Sequence, residues 1–139
     1  MAPSASGVPL EDECVNEFLK LKKTRSYRYI TFGINDEATK VSVVDTGARD
    51  KTYDDFTKLF PDDDCRYGVY DHDFEDSEGC QKSKMVFFAW VPDTAKVKKK
   101  MLYASTKDTL KQALDGISFE IQATDAEELG VKYVQEKCQ

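Results

Sequence analysis

Histidine occurs once in this chain and tryptophan once, and the four cysteines, Cys14, Cys65, Cys80 and Cys138, stand far apart with no C-x-x-C pair. A structural zinc site needs several such ligands at short spacings, so none is expected, and no other cofactor is expected either. No apolar run approaches the roughly 20 residues that span a bilayer, which argues against a transmembrane helix. MAPSASGVPLEDEC at the start has neither a basic region nor an apolar stretch, so it does not read as a secretory signal. G-x-G-x-x-G and G-x-x-x-x-G-K-[ST] are both missing, which removes the usual phosphate-cradling loops. A positive balance is missing too: 20 Lys and Arg stand against 26 Asp and Glu, for a formal net charge of -6. Generic nucleic-acid binding normally shows the opposite balance. What is present is 139 residues, 40% of them hydrophobic, enough for one domain with a real core. Such a domain does not need disulfides, so reduced thiols and a cytoplasmic location are expected.

The pattern along the chain predicts alternating helices and strands. Residues 1–9 read as a mobile tail, followed by a single domain over 10–139. Cys14, Val15, Phe18, Leu19 and Lys22 recur at helical spacing between Leu10 and Lys23. YRYITFGI (27–34) and KVSVVDT (40–46) read as an antiparallel hairpin. TYDDFTKLF (52–60) reads as a helix stopped by Pro61. CRYGVYDHDF (65–74) and KMVFFAWV (84–91) are the most strand-like segments. The second is almost wholly apolar, as in a sheet covered on both faces. Asp93 or Thr94 can cap a following helix, and Ser105 or Thr106 its continuation. ISFEIQA (117–123) alternates as a fifth strand, and a last helix starts at Thr124 or Asp125 with Ala126, Leu129, Tyr133 and Val134 inward. The expected fold is α/β (α+β): a central mixed five-stranded sheet sandwiched between helices.

Three stretches invite a chemical reading. Asp45-Thr46-Gly47 after an apolar strand has the form of an aspartic-protease loop, but that chemistry needs two aspartates sharing a proton and this chain has one copy. The triplet reads instead as turn residues ending a strand. DHDFEDSEG (71–79) gathers carboxylates around His72. Counted from Asp71, the sixth and twelfth positions of a calcium loop hold Asp76 and Lys82, where glycine and glutamate are required, so a solvated acidic loop is expected. No serine or cysteine beside His72 suggests a nucleophile. A binding role therefore fits better than an enzymatic one.

Residues 94–111 concentrate six lysines against Asp108 in an otherwise acidic protein. A helical wheel at about 100° per residue puts Val97, Met101 and Ala104 toward the core. Lys98, Leu102 and Ser105 form an adjacent strip, and Lys96, Lys99, Lys100 and Tyr103 the far side. A strip that pairs Leu102 with Met101 between lysines suits an apolar cleft with an acidic rim on a partner.

WVPDTAKVKKKMLYASTKDTLKQAL (90–114) resembles the long-helix segment of the actin-depolymerising factor/cofilin family, W-x-P-[DE]-[ST]-A-P-[VLI]-[KR]-x-K-M-x-Y-[AT]-S-[ST]-K-[DE]. DDDCRYGVYDHDF, QKSKMVFFAWVPD, YDDFTKLFPDDDC, EIQATDAEEL and the SGV at 6–8 resemble the family's other segments in unbroken order. The likeness is to the compact fungal, plant and protist members, since LKKTRSYRY lacks the basic insertion of animal ones. The resemblance implies a non-enzymatic protein that binds actin monomers and filaments, prefers the ADP form, alters filament twist, severs, and speeds subunit loss. Carried over by position, the monomer surface would be Ser6, Gly7, Val8, Lys98, Lys100, Met101, Leu102 and Ser105. The filament surface would be Lys82, Lys84, Glu136 and Lys137. Phosphoinositides, as inhibitors, would compete for Lys96, Lys98 and Lys100, as multivalent anions do for clustered lysines. Ser6 matches the family's regulatory phosphorylation site, with Ser4 a nearby competitor. A monomer is expected, at cortical actin and with nuclear entry alongside it. Two alternatives stay open, an actin-monomer sequestering module and a phosphoinositide-binding module without severing. Lys96 departs from the family's proline, and His72 does not stand near the C-terminus where some members sense pH.

Overall fold

The computed structural model describes residues 9–35, 37, 39–125 and 129–130. Helix α1 (Asp12–Leu19) runs into a π-turn (Lys20–Thr24), then come β1 (Tyr27–Ile34), β2 (Val41–Ala48), α2 (Tyr53–Thr57), β3 (Arg66–Glu75), β4 (Gln81–Trp90), α3 (Val97–Ala113) and β5 (Phe119–Ala123). The strands form one mixed sheet in the order β2-β1-β3-β4-β5. Its first four members are antiparallel to their neighbours; β4 and β5 are parallel. A parallel pair needs a crossover, and α3 supplies it.

Strand alternation sends successive side chains to opposite faces, and both faces are covered. Ile30, Phe32, Tyr67, Val69, Phe87 and Ala89 meet Cys14, Phe18 and Leu21 of the first helical segment and Tyr103 and Leu110 of α3. On the other side Tyr29, Tyr70, Val86, Phe88 and Trp90 meet Phe56, Phe60 and Leu129. The apolar run of β4 is therefore shared between two cores, as its composition predicts. Gly47 is buried because the Tyr29 ring lies over it; a Cβ there would sit 2.2 Å from Tyr29 Cζ. Burial pushes the Cys14 and Cys65 thiols up to about 11, so both stay protonated at neutral pH.

Several boundaries differ from expectation. The π-turn widens the helix beyond 19, so Leu21 is buried and Lys22 half-exposed, where unbroken α periodicity would bury Lys22. β2 continues through Asp45-Thr46-Gly47 to Ala48, so the triplet lies inside an edge strand. Asp71 and Asp73 lie in β3 as the strand reading of 65–74 has them, but Asp71 is fully buried, so the carboxylate cluster is not simply a solvated loop. Helix α2 is shorter than expected but well capped. The Thr52 hydroxyl accepts from the Asp55 N–H while the Asp55 carboxylate accepts from the Thr52 N–H. Of the expected last helix, Leu129 is buried, while Ala126, Tyr133 and Val134 lie outside the described residues.

Candidate functional site: the outer face of a basic helix

Helix α3 is one unbroken segment, not two, and its N-cap is Lys96 rather than Asp93 or Thr94. The Thr94 hydroxyl instead donates to the Asp62 carbonyl. Tyr103 fixes the rotation of the helix about its axis. Its hydroxyl accepts from the Ile34 N–H at 2.9 Å, its carbonyl accepts from the Tyr67 hydroxyl, and the two rings lie 4.9 Å apart. Thr106 and Leu110 follow on the same buried side.

That rotation overturns the helical-wheel assignment. Tyr103, placed on the far side, is buried. Val97 and Met101, placed toward the core, are 68% and 69% exposed, and Ala104 is exposed with them. Hydropathy alone misjudged the phase because α3 hides a tyrosine and a threonine through specific hydrogen bonds and leaves two apolar residues outside.

The lysines sort by the same geometry. Lys99 reaches Asp64 at 3.4 Å, and Lys107 and Lys111 reach Glu120 at 2.7 and 3.0 Å, tying the inner flanks to the segment before β3 and to β5. Burial opposes the Glu120 charge, but these two lysines hold its carboxyl below the ordinary value. Lys100 donates to the Asp93 carbonyl at 3.3 Å and is half-buried. Lys96 and Lys98 are exposed without an ion-pair partner among the described residues. Leu102 is half-buried against the core, and the exposed Ser105 hydroxyl donates back to the Leu102 carbonyl. The outward strip is thus Val97, Lys98, Met101, Ala104 and Ser105. It borders a cleft of about 220 Å³ against Ile34 and Asn35.

Lys82 and Lys84 lie on β4 where it pairs with the end of β3. Lys82 is exposed and paired with Asp76 at 3.3 Å. The Lys84 ammonium lies over the rings of Phe74 and Phe119, 5.5 and 5.9 Å from their centres. Ser4, Ser6, Gly7, Val8, Glu136 and Lys137 lie outside the described residues. The described chain starts beside β2: the Val41 N–H donates to the Pro9 carbonyl at 2.8 Å.

Residues 7–139 match a family model described as cofilin/tropomyosin-type actin-binding protein. The chain belongs to the actin-depolymerising factor/cofilin family. It is 51% identical to actin-depolymerizing factor 10 of Arabidopsis thaliana over 135 residues, covering 97% of this chain and 96% of the relative. It is 50% identical to actin-depolymerizing factor 1 of Oryza sativa subsp. japonica over 138 residues, 99% of each. Among solved structures, Streptomyces griseoflavus cofilin superposes with a TM-score of 0.88 at 41% identity, covering 96% of this chain and 98% of that one. The mixed five-stranded sheet with helices on both faces is this family's fold.

Sequence reasoning missed one cluster. Arg25, Arg28 and Arg49 converge on Asp71 and Asp73, with contacts from 2.7 to 3.5 Å. Its signal was the alternation Asp71-His72-Asp73 in a strand, which sends both carboxylates to one side.

Proposed function

We propose that this cofilin-family chain is a non-enzymatic actin-binding protein that engages monomers and filaments, prefers the ADP form, and severs and depolymerises filaments by altering their twist. The observation carrying this reading is the outward strip of α3. Val97 and Met101 are held in water on a helix whose opposite side is locked to the sheet, with Lys98 exposed between them and without an ion-pair partner among the described residues. Exposed apolar side chains rimmed by free cations suit a partner offering an apolar cleft with acidic edges. Binding a twisted filament state more tightly than the relaxed one shifts the population toward it and weakens subunit contacts.

Lys98, Met101 and Ser105 serve the monomer contact directly in this reading. Lys100 and Leu102 contribute while partly engaged with their own fold, and Ser6, Gly7 and Val8 extend the surface. Lys82, Lys84, Glu136 and Lys137 form the filament surface. A sequestering role without severing would not need those four residues. Phosphoinositides inhibit by occupying Lys96, Lys98 and Lys100. A phosphate on Ser6, or on Ser4, adds nearly two negative charges and repels an acidic actin surface. Residues 10–139 act as one monomeric domain at the cytoskeleton, cortical actin included, with nuclear entry alongside actin.

Co-sedimentation with actin filaments and time-resolved imaging of filament length test the proposal. The wild-type chain is expected to pellet with filaments and shorten them, and Lys98→Ala with Lys100→Ala to lose most of that affinity while keeping its circular dichroism. No pelleting and no severing by wild type at micromolar protein would sink the reading. Unchanged affinity in the double variant would refute the helix assignment.

A further inference from the structure

Arg25 closes the π-turn with φ of 54°, the only non-glycine residue at positive φ among the described residues. A side chain is disfavoured in that conformation and persists there only where its surroundings over-determine it. The π-turn delivers it: the Ser26 N–H and the Thr24 hydroxyl both donate to the Lys20 carbonyl, at 3.2 and 2.6 Å. Wide turns of this kind recur where a helix must aim a functional group.

The guanidinium then joins three elements. Its Nη2 lies 3.1 Å from Oδ2 of Asp71 and 3.0 Å from Oδ1 of Asp73, both on β3. Its Nη1 donates to the Ser83 hydroxyl on β4 at 3.4 Å. Charge neutralisation does not explain it, because Arg49 already meets Asp71 at 2.7 Å and Arg28 meets Asp73 at 2.8 Å. What Arg25 alone adds within this cluster is the reach to β4. Ser83 stands opposite Asp73 in the register, between Lys82 and Lys84, whose side chains leave the strand on the other face.

We propose that Arg25 is a positioning residue for the filament surface: it clamps the turn end of the β3–β4 hairpin through Asp73 and Ser83, so that Lys82 and Lys84 are presented in a fixed orientation. The inference rests on the reading that these two lysines meet the filament. It separates the two proposed surfaces, because α3 is anchored by Tyr103, Asp64 and Glu120 and does not depend on Arg25.

Arg25→Gly tests it, since glycine adopts the left-handed turn without strain while the side chain, guanidinium included, is removed. In the free protein, amide exchange at 81–84 is expected to accelerate about tenfold. Filament affinity should fall about tenfold and monomer affinity change less than about twofold. Arg25→Lys should lie between, because an ammonium can reach a carboxylate but cannot also hold Ser83; it carries the test should the glycine variant not fold. Unchanged exchange overturns the clamp even if filament affinity falls. Faster exchange with unchanged filament affinity overturns its link to the surface. Equal losses for monomer and filament mark general destabilisation and overturn it as well. A wild-type chain that never pellets, in a protein whose exchange does respond to Arg25→Gly, defeats the filament reading and this link while leaving the clamp itself measured.

Discussion

Lys96 stands where the family resemblance has proline, and the backbone there is already proline's: φ is -62° and ψ 140°. Its side chain makes no capping bond, and nothing accepts from its N–H among the described residues. Lys96→Pro should therefore raise stability by about 0.4–1 kcal/mol through the unfolded state, read as a higher denaturation midpoint. It should also weaken binding to anionic lipid vesicles, since it removes an exposed lysine at the start of α3. Met101 and Leu102 differ in the same decisive way. Met101→Ala should reduce actin affinity with little change in midpoint, because the side chain touches mostly water. Leu102→Ala should cost about 1–2 kcal/mol of stability, being only half-buried where a full core truncation costs about 2–5 kcal/mol. His72 supplies a pH test. Burial pushes its imidazole below the ordinary value and Arg28 acts the same way, against the opposing pull of Asp73 and Asp71. Across the strand pair its neighbour is Lys84, a further cation. A lowered folded value means that the unfolded chain binds the proton more readily. The contribution is thus complete above about pH 6.5 and is lost as pH falls from there through the folded value. The urea midpoint should drop between pH 7 and 5, and His72→Phe, which keeps the stacking on Phe74, should flatten that drop.

At the scale of elements, what was legible followed from what each signal depends on. The strands could be read because alternation and β-branched or aromatic content act locally, and β4 in particular is apolar on both of its faces. Rotation of α3 could not be read, because it is set by Ile34 and Tyr67 hydrogen-bonding to Tyr103, contacts separated by 69 and 36 positions. Of the α3 residues that the family motif singled out, Lys98, Met101 and Ser105 are exposed while Lys100 and Leu102 are half-buried, and composition alone had turned Met101 inward. The π-turn escaped for the same reason as the rotation: its purpose lies in Arg25 meeting Asp71 and Asp73 about 50 residues later. That cluster yields a prediction of its own. Burial opposes the Asp73 charge, but the hydrogen bond from Arg28 and the charges of Arg28, Arg25 and Arg49 hold its carboxyl below the ordinary value. The stabilisation is therefore present above the unfolded value near 3.9 and lost as pH falls through the lowered folded one. Asp73→Asn should remove that part of the acid transition. Asp71→Asn should do more harm at neutral pH, about 3–5 kcal/mol, because it strips a fully buried carboxylate from Arg49 and Arg25.

For the whole molecule, the charges show a division of labour. The chain carries a net charge of -6, yet the lysines of α3 and its N-cap are either engaged within the fold, as Lys99, Lys100, Lys107 and Lys111 are, or exposed with no ion-pair partner among the described residues, as Lys96 and Lys98 are. An acidic body of this kind disfavours an acidic partner away from its exposed lysines, so the charge distribution helps select the docking pose. The outer strip of α3 and the lysines of β4 belong to different elements, so their effects on filament binding should be nearly independent. Lys98→Ala with Met101→Ala should weaken monomer and filament binding alike. Lys82→Ala with Lys84→Ala should weaken filament binding only. Combining all four should give a filament loss equal to the sum of the two within about 0.5 kcal/mol, measured by co-sedimentation at fixed salt. A coupling well above that limit would mean that the sheet transmits strain between the surfaces. Loss of monomer binding in the β4 pair would mean that one continuous surface, not two, meets actin.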